Sequence, residues 1–204
     1  MWDLQQIVKK FTPNKKPIFI VSGLPRSGTS MMMKMFEAGG ISPFIDHVRL
    51  PDEDNPKGYY ELERVKQLAK DNKWMHEAKG KVVKVISMLL YHLPSMYEYK
   101  VVFMQRNMDE ILASQTAMLV RNGKNNSVIS DEELAEKFSR HLKDIKAWLK
   151  QQQNIEVLYV SYNELLDDPH KNVIKISNFS NQLLDDEKMI EVIDARLHRQ
   201  RRGL

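Results

Sequence analysis

Residues Ile18 to Ser30, IFIVSGLPRSGTS, carry the densest chemistry in the chain: an apolar run, then two glycines, an arginine and hydroxyl side chains. Gly23 and Gly28 bracket four residues, and glycines let a backbone fold into a concave nest of N–H groups. A helix that starts at Thr29 and Ser30 turns the positive end of its dipole toward the same spot, so the ligand such a loop suits is a tetrahedral dianion. Thr29 and Ser30 add hydroxyl donors, and Arg26 adds a planar guanidinium matched to phosphate or sulfate oxygens. The competing reading is a glycine turn that holds nothing. One position departs from the nucleoside-triphosphatase pattern G-x-x-x-x-G-K-[ST], because Thr29 stands where that pattern has lysine. A kinase using ATP and Mg²⁺ would lack its central charge here.

A loop of this kind needs a buried strand before it and a helix after it. Apolar runs rich in valine and isoleucine recur at PIFIVSG, KVVKVIS, KVVFMQR and IEVLYVSY, and without clear polar alternation they are expected as strands buried on both faces. Helical spacing is found in Ser30 to Ala38, Leu62 to Lys79, Met88 to Tyr97, Asp109 to Arg121 and Asp131 to Gln153. Strands alternating with helices imply crossover connections, hence a three-layer α/β/α domain around a central parallel sheet. Two stretches, SPFIDHVRLPDEDNPKGYYE and RNGKNNSVISDEE, are expected as long loops over one edge of the sheet, the second ending in a helix-start signal at Ser130 to Glu133. In such folds ligands sit where loops leave the carboxyl ends of strands. A chain of 204 residues is expected to form one domain, residues 1–204.

The segment GLPRSGTS resembles the 5′-phosphosulfate loop of sulfotransferases that use 3′-phosphoadenosine 5′-phosphosulfate (PAPS), a family whose fold is similar to that of P-loop NTPases. VVFMQRNMDEILASQ is similar to the same family's 3′-phosphate element, with Arg106 closing a strand and Ser114 eight residues on, and LYVSYNELLDDP resembles a later strand-to-helix segment. The likeness runs from about Pro17 to Pro169. Arg26 in place of lysine matches the branch that sulfates carbohydrates, tyrosines and lipids, whereas Met108 departs from the family's usual proline. The resemblance implies that Pro25, Arg26, Ser27, Gly28, Thr29 and Ser30 cradle the phosphosulfate and that Arg106 and Ser114 grip the 3′-phosphate. On the residues alone, Arg106 followed by Asp109 and Glu110 reads first as a salt-bridged residue at a helix entry.

Sulfuryl transfer to a hydroxyl requires a base, for which a carboxylate or histidine serves. NPKGYYE looks like a segment of bacterial and carbohydrate-directed relatives in which the glutamate faces the acceptor, which makes Glu61 the first candidate; the alternative is a helix-start residue that favours the dipole. His92, in LLYHLP, is its rival, or a structural histidine. Lys84 could face charge developing on the bridging oxygen, or could extend its ammonium to solvent from a strand end. The tail RLHRQRRGL is faintly similar to a late segment that closes over the nucleotide in some members, which would give Arg201 and Arg202 a binding role; a solvated terminus is the plain alternative.

Composition narrows the classes. A formal charge of +4, spread along the chain, suits a small anionic ligand and gives nucleic acid no basic, aromatic-laced surface. With no cysteine, no run near the ~20 apolar residues of a membrane span, and no apolar leader in MWDLQQIVKKF, the expectation is a cytoplasmic protein without a transmembrane segment. No metal-ligand spacing occurs, so no metal is expected, and Met31, Met32, Met33 and Met35 are expected to fill core. The triplet Asn125 to Ser127 matches a glycosylation acceptor but carries no weight in a cytoplasmic chain. Together these point to transfer of a sulfuryl group from PAPS to a hydroxyl or amine of a small-molecule or carbohydrate acceptor. A nucleotide or small-molecule kinase, and a non-catalytic nucleotide-binding sensor of the same fold, are the alternatives; the sensor gains if Glu61 faces away from the loop.

Overall fold

The computed structural model describes residues 16–46, 48, 59–121 and 129–193. Arg201, Arg202, the Asn125 to Ser127 triplet and Asn55 to Gly58 lie outside the described residues. Among the described residues four parallel strands, β1 (Ile18–Gly23), β2 (Val82–Lys84), β3 (Tyr99–Gln105) and β4 (Ile155–Ser161), form one sheet in the order β2-β1-β3-β4. The helices are α1 (Thr29–Ala38), α2 (Met108–Arg121), α3 (Asp131–Leu149), α4 (Tyr162–Asp167), α5 (Pro169–Ser180) and α6 (Asp186–Glu191).

Each face of the sheet carries its own core. Ile18, Ile20, Val83, Tyr99, Val101 and Phe103 pack against Trp74, Met75, Leu90 and the α3 residues Ile145 and Leu149. Phe19, Val21, Val82, Val102 and Met104 pack against α1 and against Leu165, Val173, Ile176 and Met189 from α4, α5 and α6. The strand period of two sends alternate residues to the two cores, and the result is the expected three-layer α/β/α architecture. In α1, Thr29, Met32, Met33 and Phe36 fall at helical spacing on the buried side, so the methionines there are core. Among the described residues no helix is long and apolar enough to cross a membrane.

Three expectations need correction. β4 is not buried on both faces: as the strand at the margin of the sheet it leaves Glu156 and Tyr159 exposed. Leu62 to Lys79 does not form one helix but two short 3₁₀ segments, Glu63–Gln67 and Lys73–Ala78. Asp71 interrupts them, its carboxylate accepting from Lys73 N at 3.1 Å and its carbonyl from Trp74 Nε1 at 3.1 Å, a local alternative to helical bonding. Met88 to Tyr97 shrinks to a 3₁₀ segment, Ser87–His92, because Leu93 before Pro94 is held extended. Beyond Pro169 the fold adds α5 and α6, which the sequence analysis did not assign; Asp168 accepts from Lys171 N at 3.1 Å and Pro169 opens α5, a start signal of the ordinary kind.

The strand order places the site. β1 is flanked by β2 on one side and β3 on the other, so the connections leaving β1 and β3 part in opposite directions at their carboxyl ends. The crevice between those ends is where open α/β sheets bind ligands. Gly23 lies opposite Met104 in the register, so the loop after β1 and the Arg106 segment after β3 emerge side by side.

Candidate active site

The loop begins with a tight turn. Leu24 carbonyl accepts from Ser27 N at 3.3 Å and from Ser27 Oγ at 2.7 Å, so the Ser27 hydroxyl locks the loop to itself. Pro25 takes the second position of this turn and Arg26, at φ 69°, the third, where a left-handed residue is normally glycine. Holding a side-chain-bearing residue there costs on the order of 1 kcal/mol or more. Gly28, at φ 94°, then leads into α1, and a Cβ on it would lie 2.4 Å from Tyr162 Cδ2.

The N-terminus of α1 differs from the others. Asn107, Ser130, Ser161, Asp168 and Asp185 each cap the start of a helix, from α2 through α6, by accepting a backbone N–H. Among the described residues no side chain caps α1. An uncapped, glycine-led helix start keeps the first-turn donors and the positive dipole end for an outside acceptor.

Two arginines meet over this cup. Arg26 Nε donates to Ser114 Oγ at 2.9 Å, and Arg106 Nη1 donates to the Arg26 carbonyl at 3.1 Å. Arg106 Nε also donates to Glu110 Oε2 at 2.8 Å, and its Cζ stands 4.6 Å from the Tyr162 ring centroid. Of the two roles the sequence offers Arg106, helix-entry ion pair or anion grip, it makes the ion pair, with Glu110, and also faces the loop. Ser114 is buried on the inner side of α2.

A second group adjoins the loop from the other side. Lys84 Nζ, at the end of β2, donates to the Tyr59 carbonyl at 2.9 Å and to Ser30 Oγ at 3.2 Å, and lies 3.4 Å from Glu61 Oε1. Ser30 Oγ itself donates to the Tyr59 carbonyl at 3.2 Å. With only 9% of its side chain exposed, Lys84 does not reach out to solvent but bridges Glu61 to the first turn of α1. Glu61 therefore faces the loop. The neighbouring Tyr60, at φ 53°, donates to Glu37, and burial together with that carboxylate holds its phenol well above the usual range.

His92 is exposed at the end of its 3₁₀ segment and is not among the hydrogen-bond partners of Ser30, Lys84 and Glu61 described above. A different histidine, His141 on α3, is tied into the fold: its Nε2 is 2.9 Å from Ser87 Oγ, and burial lowers its pKa against the pull of Asp144. Sequence reasoning missed the contributions of Tyr59, Tyr162 and Asn163. Tyr162 and Asn163 lie in the quoted segment LYVSYNELLDDP, and Tyr59 directly precedes Tyr60 and Glu61. Among the described residues no three His, Asp or Glu side chains gather as a metal site.

A strand, a lysine-less glycine loop and an uncapped helix at the switch point of a parallel sheet define a P-loop-like α/β domain. A model of the sulfotransferase domain family matches residues 16–202, and the chain belongs to that family. Its fold is similar to the sulfotransferase domain from the Synechococcus PCC 7002 olefin synthase, with TM-score 0.54 and 16% identity over 93% of this chain and 81% of that one. It is also similar to Mycobacterium tuberculosis sulfotransferase STF1, with TM-score 0.58 and 19% identity over 92% of this chain and 75% of that one. Mouse sulfotransferase SULT7A1, crystallised with PAP, gives TM-score 0.53 and 18% identity over 96% of this chain and 69% of that one. At these identities the likeness bears on the fold alone. No curated protein matches the chain.

Proposed function

We propose that the protein transfers a sulfuryl group from PAPS to a hydroxyl or amine of a small-molecule or carbohydrate acceptor. One observation carries this: Arg26, Ser114 and Arg106 meet at the mouth of the one α-helix, among those described, whose start lacks a side-chain cap. In this reading the first-turn N–H groups of α1, with Thr29 and Ser30, hold the 5′-phosphosulfate, and Arg106 and Ser114 hold the 3′-phosphate. The donor supplies an activated sulfuryl group. As the acceptor oxygen bonds to sulfur, the bond from sulfur to the donor's phosphate oxygen breaks, 3′-phosphoadenosine 5′-phosphate (PAP) leaves, and Glu61 takes the acceptor's proton. Lys84, in contact with both Ser30 and Glu61, lies where it can steady charge on the departing oxygen. Mouse SULT7A1 has PAP bound in its crystal, which supports a nucleotide of this kind as the partner of the shared fold.

Calorimetric titration with PAP, and separately with ATP plus Mg²⁺, tests the donor assignment. Binding of PAP that exceeds that of ATP is the expected result; a preference for ATP, indifferent to a 3′-phosphate, would overturn it. Turnover is tested with labelled PAPS and an array of hydroxyl and amine acceptors, where labelled product is expected. Its absence across the array, with PAP still bound, would favour a sensor.

A further inference from the structure

Arg106 and Glu110 form the most enclosed ion pair among the described residues, with side chains 8% and 5% exposed. A buried pair of this kind recovers little stability over apolar residues of the same size, so its retention calls for another reason. The second carboxylate oxygen is also engaged: Glu110 Oε1 accepts from Asn163 Nδ2 at 3.0 Å. Glu110 is thus fixed from two sides, by a residue of its own segment and by a residue of α4.

We propose that Glu110 and Asn163 are positioning residues that set the orientation in which Arg106 meets a ligand's phosphate. The inference rests on Arg106 being the partner of the 3′-phosphate. A guanidinium is planar, so fixing Nε on Glu110 and Nη1 on the Arg26 carbonyl fixes its plane and the direction of Nη2. Nη2 makes no hydrogen bond among the described residues. The Tyr162 ring, 4.6 Å from Cζ, limits tilt of that plane. Asn163 stops the carboxylate from turning and taking the guanidinium with it. Tyr162 and Asn163 are consecutive residues at the start of α4, and Tyr162 also abuts Gly28, so one helix end registers Arg106 against the cup.

Binding of PAP and of adenosine 5′-phosphate, which lacks the 3′-phosphate, is measured by calorimetry for the whole chain and for Arg106→Ala, Glu110→Ala, Glu110→Gln and Asn163→Ala, with thermal unfolding of each. The parent protein is expected to prefer PAP, and Arg106→Ala to lose that preference. Glu110→Ala is expected to reduce the preference on the order of tenfold and Asn163→Ala severalfold, with adenosine 5′-phosphate binding within about twofold of the parent. Glu110→Gln keeps an oxygen for Nε and is expected to restore most of the preference. Equal weakening of both nucleotides, an unchanged preference in Glu110→Ala and Asn163→Ala, or a glutamine variant no better than alanine would overturn the positioning role. If the parent itself shows no preference for PAP, the assignment of Arg106 fails first and this inference falls with it.

Discussion

Gly28→Ala is expected to destabilise the fold by about 2–5 kcal/mol and to weaken PAP binding. The backbone there sits at φ 94°, and a Cβ at such an angle costs about 1–2 kcal/mol. The new methyl would lie 2.4 Å from Tyr162 Cδ2 and 2.9 Å from Cε2, against the 3.4 Å at which ordinary contact begins. The ring must therefore retreat by about 1 Å, and such overpacking adds about 1–3 kcal/mol. Tyr162 is buried and lies beneath the Arg106 guanidinium, so its retreat carries the damage to the second arginine. Gly40→Ala is the matched control: φ is 105°, and none of the described residues lies within 4 Å of its added Cβ. It is expected to show the backbone cost alone and to bind PAP normally. Urea unfolding of both variants, with PAP titrations, reads the difference directly. Equal midpoints for the two variants, or unimpaired binding by Gly28→Ala, would refute the role assigned to the Tyr162 contact.

Arg26→Gly removes the strain at φ 69° while losing the bond to Ser114, so its unfolding midpoint is expected within about 1 kcal/mol of the parent while turnover falls at least about a hundredfold; a fold loss that matches the activity loss would contradict this. Glu61→Gln is expected to lower kcat by about 10²–10⁴ with PAP binding intact, and His92→Ala to leave kcat within about twofold; the reverse pattern in steady-state kinetics would move the base to His92. Burial disfavours the charged form of His141 in the fold, so its contribution to stability is full above its ordinary value of 6.5 and is lost as pH falls from there through its lowered folded value. Substituting His141→Gln should flatten that part of a stability-against-pH curve, and an unchanged slope would show that another group sets it.

The loop was legible because its chemistry is local: two glycines, a strand before them and a helix after them lie within one short stretch. The parallel sheet was legible for the same reason, since each strand announces itself by a valine- and isoleucine-rich run. Edge position was not, because β4 looks as apolar as β3 in sequence and only strand order exposes Tyr159. The 3₁₀ segments look like α-helices in sequence because the side chains of both follow nearly the same spacing, and Asp71 and Pro94 act through backbone detail. The bond from Lys84 to the Tyr59 carbonyl, and that from Asn163 to Glu110, join residues far apart in the chain; no period or motif encodes such a pairing.

Parallel pairing of β1 with β3 acts as a ruler for the whole assembly. The Arg26 carbonyl that receives Arg106 belongs to the main chain, so exchanging the residue-26 side chain leaves the gauge between the two strand ends untouched. Sliding β3 by a single residue would carry Arg106 about 3.3 Å along the sheet and turn it to the opposite face. Insertions are thus tolerable in the connecting loops but ruinous inside either strand, and a drift of the ladder, more than any change of side chain, is what would put the two cationic contacts out of step.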